Sequence, residues 1–154
     1  MKVLMVCLGN ICRSPLAEGI LRSKVEKAGL HWIVDSAGTS AHNVGCSPHM
    51  SSQKIASKNG FDISKHKCRN FVKEDIRYFD KIYVMDDENY NDVKRIAEIF
   101  WNETKIDYLM NELFPGKNKI IFDPWYGGEE GFYQVYEMME KACEALINKL
   151  TNNN

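Results

Sequence analysis

The sequence has no surplus of charge: 20 Lys and Arg face 21 Asp and Glu, for a formal net charge of -1. That balance gives no reason to expect general affinity for nucleic acid or for an anionic membrane surface. No apolar run approaches the ~20 residues of a membrane span. The first eight residues are apolar except for Lys2. That run is short for a signal-peptide core, and Gly9-Asn10 ends it without a cleavage-like site. The cytoplasm is the expected compartment. Among five cysteines (Cys7, Cys12, Cys46, Cys68, Cys143) there is no C-x-x-C pair, so a structural zinc site is not expected. An odd, scattered set does not read as a disulfide framework either. Cys46, Cys68 and Cys143 are read as small buried hydrophobes. Repeats, low-complexity stretches and linkers are also missing, and 154 residues suit one domain. We take that domain as residues 1–150, with 151–154 a disordered tail.

What is present is an alternation of strand-like and helix-like segments. Lys2 to Cys7 is a continuous apolar run of strand length, as in a strand buried on both faces of a parallel sheet. Ser14 is placed to cap a helix with Pro15 at its first position, running to Gly29. Trp32-Ile33-Val34 predicts a second strand, and Ser47-Pro48 opens a helix ending at Gly60. Lys81 to Met85 predicts a third strand, Asp87 to Trp101 a helix, and Ile106 to Leu109 a fourth strand. Phe114 to Gly128 reads as loop, and Gly131 to Leu150 as the last helix. The fold class that follows is α/β, with right-handed crossovers and a mostly parallel sheet. Ligands in such sheets bind beyond the carboxyl ends of the strands.

Cys7-Leu8-Gly9-Asn10-Ile11-Cys12-Arg13-Ser14 lies at such an end and has the form C-x5-R-S between a strand and a helix. A tight loop turns successive N–H groups toward one point and forms an anion nest. Gly9 is expected to supply unusual backbone angles, and Asn10 tolerates a left-handed conformation. The helix start adds a positive dipole end. Arg13 supplies a planar fork matching two phosphate oxygens. The same field favours the thiolate of Cys7, the reactive form. The hydroxyl of Ser14 is positioned to donate to that sulfur and improve it as a leaving group. A nucleophile also needs an acid for the leaving oxygen. Asp123-Pro124-Trp125-Tyr126-Gly127-Gly128 offers Asp123, held extended by its proline. Trp125 and Tyr126 are read as walls for an aromatic leaving group.

With these residues in view, the sequence resembles the low-molecular-weight protein tyrosine phosphatases over nearly its whole length. The matching stretches are Val6 to Glu18, Asp35 to Thr39, Ser64 to Arg69, Met85-Asp86 with Asn89, and Asp123-Pro124-Trp125. The resemblance implies a four-stranded parallel sheet flanked by helices on both faces, with a phosphate-binding loop between the first strand and first helix. It implies hydrolysis of phosphotyrosine, and of aryl phosphates generally, through a phosphocysteine at Cys7. Arg13 and the amides of residues 8–13 would stabilise the transition state, and Asp123 would act as acid, then base. Asn10, Ser14, Ser36 and His66 match a hydrogen-bond network that shapes the loop, and Asp86 matches a supporting carboxylate. Cys12 matches a position that forms a reversible disulfide with Cys7. No metal or other cofactor is implied. Phosphotyrosine proteins are the implied substrates, and phosphate, sulfate or vanadate the implied site ligands, with the chain acting as a monomer.

Departures from the family pattern bear on specificity. His42 stands where many relatives carry a large cleft aromatic, and Trp125 where Tyr is commoner. Arsenate reductase shares the fold and the Cys7 loop, but its chemistry relays a disulfide through cysteines after the third strand. Met85 to Asn91 holds none. Arginine phosphatases tend to have Thr where this chain has Ile11. A phosphate-binding or redox-sensing module without turnover would not need Asp123.

Overall fold

The apolar run at the start of the chain becomes the centre of the sheet. The computed structural model describes residues 1–152. Strands β1 (Lys2–Cys7), β2 (Ile33–Gly38), β3 (Lys81–Val84) and β4 (Ile106–Tyr108) form one parallel sheet in the order β2-β1-β3-β4. Five helices accompany it: α1 (Arg13–Lys27), α2 (Met50–Lys58), α3 (Asp75–Tyr78), α4 (Asp87–Ala97) and α5 (Gly128–Thr151). The parallel four-stranded sheet with helices on both faces agrees with the expected fold class.

β1 explains why an uninterrupted apolar run was needed. Side chains alternate across a strand, and each face of β1 meets a different core. Val3, Met5 and Cys7 join Leu16, Ile20, Val135, Met139 and Leu146 on the α1 and α5 side. Leu4 and Val6 join Ile76, Val93 and Ala97 on the α3 and α4 side. Val3 to Val6 are fully buried, which is worth about 1.5–3 kcal/mol for each large side chain.

The chain runs from β1 to β2 on one side, then crosses back to β3 on the other. That reversal opens a crevice beyond the carboxyl ends of β1 and β3. Register puts Cys7 opposite Gly38, one residue past the Val6–Val84 pair. The first cysteine therefore emerges at the floor of the crevice.

Several boundaries differ from the sequence expectation, each for a local reason. α1 starts at Arg13 with Cys12 in the cap position and no side-chain cap; Ser14 lies inside the helix, its hydroxyl turned to the Cys7 sulfur. α2 starts at Met50, not at Pro48, because the His49 imidazole accepts from the Ser51 amide at 3.0 Å. β2 extends through Ser36 to Gly38. α4 stops at Ala97, since Glu98 takes a φ of 50°. α5 begins at Gly128 rather than Gly131, with Glu129 and Glu130 in its first turn, where acids suit the helix dipole. The short α3 was not expected. Thr151 closes α5 and Asn152 caps it; residues 153 and 154 of the expected tail lie outside the described residues.

Candidate active site

The loop from Cys7 to Arg13 closes over the end of β1. Cys7 Sγ lies 3.1 Å from Ser14 Oγ and 3.5 Å from the Ser14 amide nitrogen, which donates to it. Among the described residues, the backbone N–H groups of Leu8, Gly9, Asn10, Ile11 and Cys12 find no protein acceptor. Cys7, Leu8, Gly9, Ile11, Cys12 and Arg13 line a cavity of about 360 Å³ with His42, Asn43, Asp123, Trp125 and Tyr126. A larger cavity of about 470 Å³ between α2 and α5 is lined by residues such as Lys54, Glu129 and Tyr133. It offers no cysteine and no arginine, so chemistry and not size marks the site.

Asn10, not Gly9, adopts the left-handed backbone, with φ 53°. The expectation for Gly9 is corrected accordingly: it keeps ordinary φ, and a Cβ there would lie 2.7 Å from the Asn43 amide nitrogen and 3.5 Å from Ile11 Cγ2. Asn10 is fully buried and held from every side. Its Nδ2 donates to Ser14 Oγ (2.8 Å) and to Ser36 Oγ (2.9 Å). Its Oδ1 accepts from the Arg69 amide (3.0 Å) and lies 2.9 Å from His66 Nε2. Its carbonyl accepts from Cys68 Sγ at 2.7 Å. An αL residue other than glycine is costly unless its surroundings over-determine it; here five contacts do so.

Behind this network lies Glu18 on α1. It accepts from Ser36 Oγ (2.5 Å), stands 3.3 Å from His66 Nδ1 and pairs with Arg22. Glu18, Asp35 and His66 also have the spacing of a metal-binding group. Their ligand atoms are already committed, Glu18 as described and Asp35 to Arg69.

Arg13 is 3% exposed, and its Nη1 is fixed from behind by Asp86 Oδ2 (2.5 Å) and the Ile121 carbonyl (2.9 Å). Burial works against its charge, but Cys7, Asp86 and Asp123 more than offset this and raise its pKa above the ordinary value. Asp86 serves two ends at once: its other oxygen caps α4 by accepting from the Asn89 amide at 2.8 Å. The Cys12 thiol is pushed up to about 12, first by burial and then by Cys7 and Asp123. Cys12 therefore keeps its proton at neutral pH.

Asp123 comes from the far end of the chain. It is extended (φ -73°, ψ 115°), and its Oδ1 accepts from the Trp125 amide at 3.0 Å, capping a short 3-10 turn over Pro124–Tyr126. The Trp125 ring rests edge-on against His49, with centroids 5.3 Å apart. Tyr126 is 90% exposed.

The structure thus brings every sequence-predicted residue to the crevice, in two tiers. Cys7, Leu8, Gly9, Ile11, Cys12, Arg13, His42, Asp123, Trp125 and Tyr126 face the cavity. Asn10, Ser14, Ser36, His66 and Asp86 stand behind it. Sequence reasoning gave no role to three further residues. Glu18 is a buried acid on the apolar side of α1, a signal available from helical spacing. Gly38 lies so close that a Cβ would sit 2.8 Å from the Leu8 carbonyl oxygen and 2.9 Å from the Asn10 nitrogen. Arg69 ties the loop to Asp35 and Asp75. The reading of Cys46 as buried is also corrected: it is exposed, whereas Cys68 and Cys143 are buried.

Comparisons with known proteins agree with this geometry. Residues 2–154 match the family model described as low molecular weight phosphotyrosine protein phosphatase. A protein of that name from Gallus gallus is 41% identical over 150 residues, 96% of this chain and 94% of its own. The crystal structure of a protein tyrosine phosphatase from Entamoeba histolytica, with Hepes in its active site, superposes with a TM-score of 0.88 at 36% identity. That match covers 99% of this chain and 98% of the other. A drosophila arginine phosphatase superposes with a TM-score of 0.90 at 34% identity, covering 97% and 98%.

Proposed function

The chain belongs to the low molecular weight phosphotyrosine protein phosphatase family, a family of hydrolases, and from this premise we propose that it hydrolyses phosphotyrosine through a phosphocysteine on Cys7. One observation carries the assignment of roles. The Cys7 sulfur lies in a ring of unpartnered backbone amides, with the Arg13 guanidinium beside it and Asp123 across the same cavity.

In this reading the phosphoryl oxygens take the amides of residues 8–13 and the Arg13 donors that Asp86 and Ile121 leave free. The Cys7 thiolate attacks phosphorus, and the P–O bond to the tyrosyl oxygen breaks. Asp123 gives that oxygen its proton, so the leaving group departs neutral. The Asp123 carboxylate then takes a proton from water as the water attacks phosphocysteine, and Cys7 departs as thiolate. The Ser14 hydroxyl stabilises the thiolate at both steps. The reaction uses no metal and no organic cofactor. Because the acid must carry a proton, acid phosphatase activity is part of the proposal.

The finer attributes rest on the same site. His42, Trp125 and Tyr126 would flank the aryl ring. Phosphate, sulfate and vanadate would occupy the amide ring. Cys12, a protonated thiol neighbouring Cys7, would close a protective disulfide with it under peroxide. We further propose a single phosphatase domain over residues 1–150, acting as a monomer in the cytoplasm, without nucleic acid or membrane partners. No described helix is long and apolar enough to cross a membrane.

The similarity to an arginine phosphatase makes phosphoarginine the competing substrate. Ile11 favours phosphotyrosine over it, since Thr tends to stand there in arginine phosphatases. The test is kcat/KM on a phosphotyrosine peptide and on its phosphoarginine counterpart, each with and without EDTA, beside Cys7→Ser. Preference for phosphotyrosine, insensitivity to EDTA and loss of turnover in the variant are expected. Preference for phosphoarginine, or loss on chelation, would overturn the reading.

A further inference from the structure

Two cysteines outside the catalytic loop meet across a bulged backbone pairing. The Gly45 amide donates to the Cys68 carbonyl at 2.8 Å, and the Cys68 amide donates to the Cys46 carbonyl at 2.9 Å. Gly45 has a φ of 86°. Two residues facing one, with a left-handed glycine first, is the pattern of a β-bulge. In a regular antiparallel ladder, hydrogen-bonded partners have Cα atoms about 5.5 Å apart, inside the roughly 4.4–6.8 Å range that a disulfide spans.

The two thiols differ in access. Cys46 is exposed, and Cys68 is 3% exposed. Burial first, and then the neighbouring Cys46 and Cys7, push the Cys68 thiol up to about 11. The buried thiol is also in use, because Cys68 Sγ donates to the carbonyl of Asn10, the left-handed residue of the phosphate loop.

We propose that Cys46 and Cys68 form a second oxidisable pair, whose disulfide takes away the thiol donor that anchors Asn10. Hydrogen peroxide oxidises the exposed Cys46 thiol to a sulfenic acid and releases one water. The Cys68 sulfur then attacks the Cys46 sulfur. The S–O bond breaks, and its hydroxyl leaves with the Cys68 proton as a second water. Two thiols lose two electrons and two protons, and one peroxide becomes two waters. A thiol or dithiol reductant reverses the step by exchange. The buried Asn10 carbonyl is left short of a donor, and the loop loses one of the contacts that hold it. The effect on turnover rests on the proposed phosphatase function; the bond itself does not.

The experiment is peptide mapping after graded hydrogen peroxide, with saturating inorganic phosphate protecting Cys7 and with free thiols alkylated before digestion. Wild type is expected to give a linked peptide joining Cys46 to Cys68, reversed by dithiothreitol. Cys46→Ser is expected to keep the basal activity and to give no such peptide. After removal of phosphate, the oxidised wild type should lose about threefold to tenfold in kcat/KM on p-nitrophenyl phosphate relative to treated Cys46→Ser. Cys46 as sulfinic acid, or an intermolecular dimer, with Cys68 still alkylatable would overturn the pair. So would linkage of Cys68 to Cys7 or Cys12. A linked peptide with unchanged kcat/KM would overturn the anchoring role. If untreated enzyme hydrolysed no phosphate ester, the phosphatase reading alone would fall, and the mapping would still decide the pair.

Discussion

Replacing Ser14 by alanine tests whether the hydroxyl beside Cys7 acts on chemistry, as proposed, or only on folding. Ser14 Oγ lies 3.1 Å from Cys7 Sγ and 3.3 Å from the Ala37 carbonyl oxygen, and it already accepts from Asn10 Nδ2 at 2.8 Å. Its single proton serves the sulfur when the sulfur is charged. A hydrogen bond to a charged group is worth about 1.5–3 kcal/mol. Converted at 1.36 kcal/mol per decade, that is about 10- to 10²-fold in the step where thiolate leaves phosphocysteine. Ser14→Ala should therefore slow breakdown of the intermediate more than its formation. Rapid mixing with p-nitrophenyl phosphate should show a burst of p-nitrophenol followed by a slow steady state. The same change leaves one buried Asn10 N–H without an acceptor, at about 1–3 kcal/mol of stability. Ser36→Ala separates the two effects: it removes the other Asn10 acceptor but touches no sulfur, so it should lower Tm without a burst. A Ser14→Ala enzyme with kcat within twofold of wild type and no burst would refute the reasoning.

Asp123→Asn should lower kcat by about 10²–10⁴-fold on phenyl phosphate and by less on p-nitrophenyl phosphate, whose leaving group needs little protonation. An equal loss on both esters would mean that Asp123 does not protonate the leaving oxygen. Gly38→Ala puts a methyl group 2.8–2.9 Å from backbone atoms of Leu8, Gly9 and Asn10, so the loop must move. A drop of about 10²-fold in kcat/KM is expected with the fold retained, and unchanged phosphate inhibition would contradict it. Stability should fall in alkali. Cys143 is held above the thiol's ordinary 9.0, at about 12, first by burial. Below pH 9 both folded and unfolded chains keep this proton, and nothing is lost. Above it the unfolded chain releases the proton first, so stability declines toward pH 12, by about 1.4 kcal/mol per pH unit. Cys143→Ala should start from a lower Tm at pH 7 and fall less steeply above pH 9 in thermal melts; parallel slopes would exclude the cause.

The strands and the phosphate loop were legible because their signals are local. β1 is one unbroken apolar run, and C-x5-R-S sits at its end. Helix starts were less so, because caps are chosen by competition. Ser14 has the right chemistry for a cap, but the sulfur and Asn10 claim its hydroxyl, while His49 caps α2 in place of the expected serine. His66 and Asp86 were promoted by family likeness alone, since their partners, Asn10 and Arg13, lie 56 and 73 residues away in sequence. Gly38 stayed unseen for a related reason. Its need to lack a side chain comes from the approach of another segment's backbone, which no local pattern encodes.

The cradle and the wall of the cavity come from distant parts of the chain, joined where Ile121 receives Arg13 and donates to the Met85 carbonyl. Below that joint Cys7, Asn10, Arg13, Ser14 and Ser36 are buried and held by several partners; above it Trp125 and Tyr126 stand largely in solvent. The two parts are therefore separable in the way a socket is from its adaptor. A library randomised at positions 125 and 126 would exchange one presented alcohol for another while the displacement at phosphorus ran unchanged beneath it.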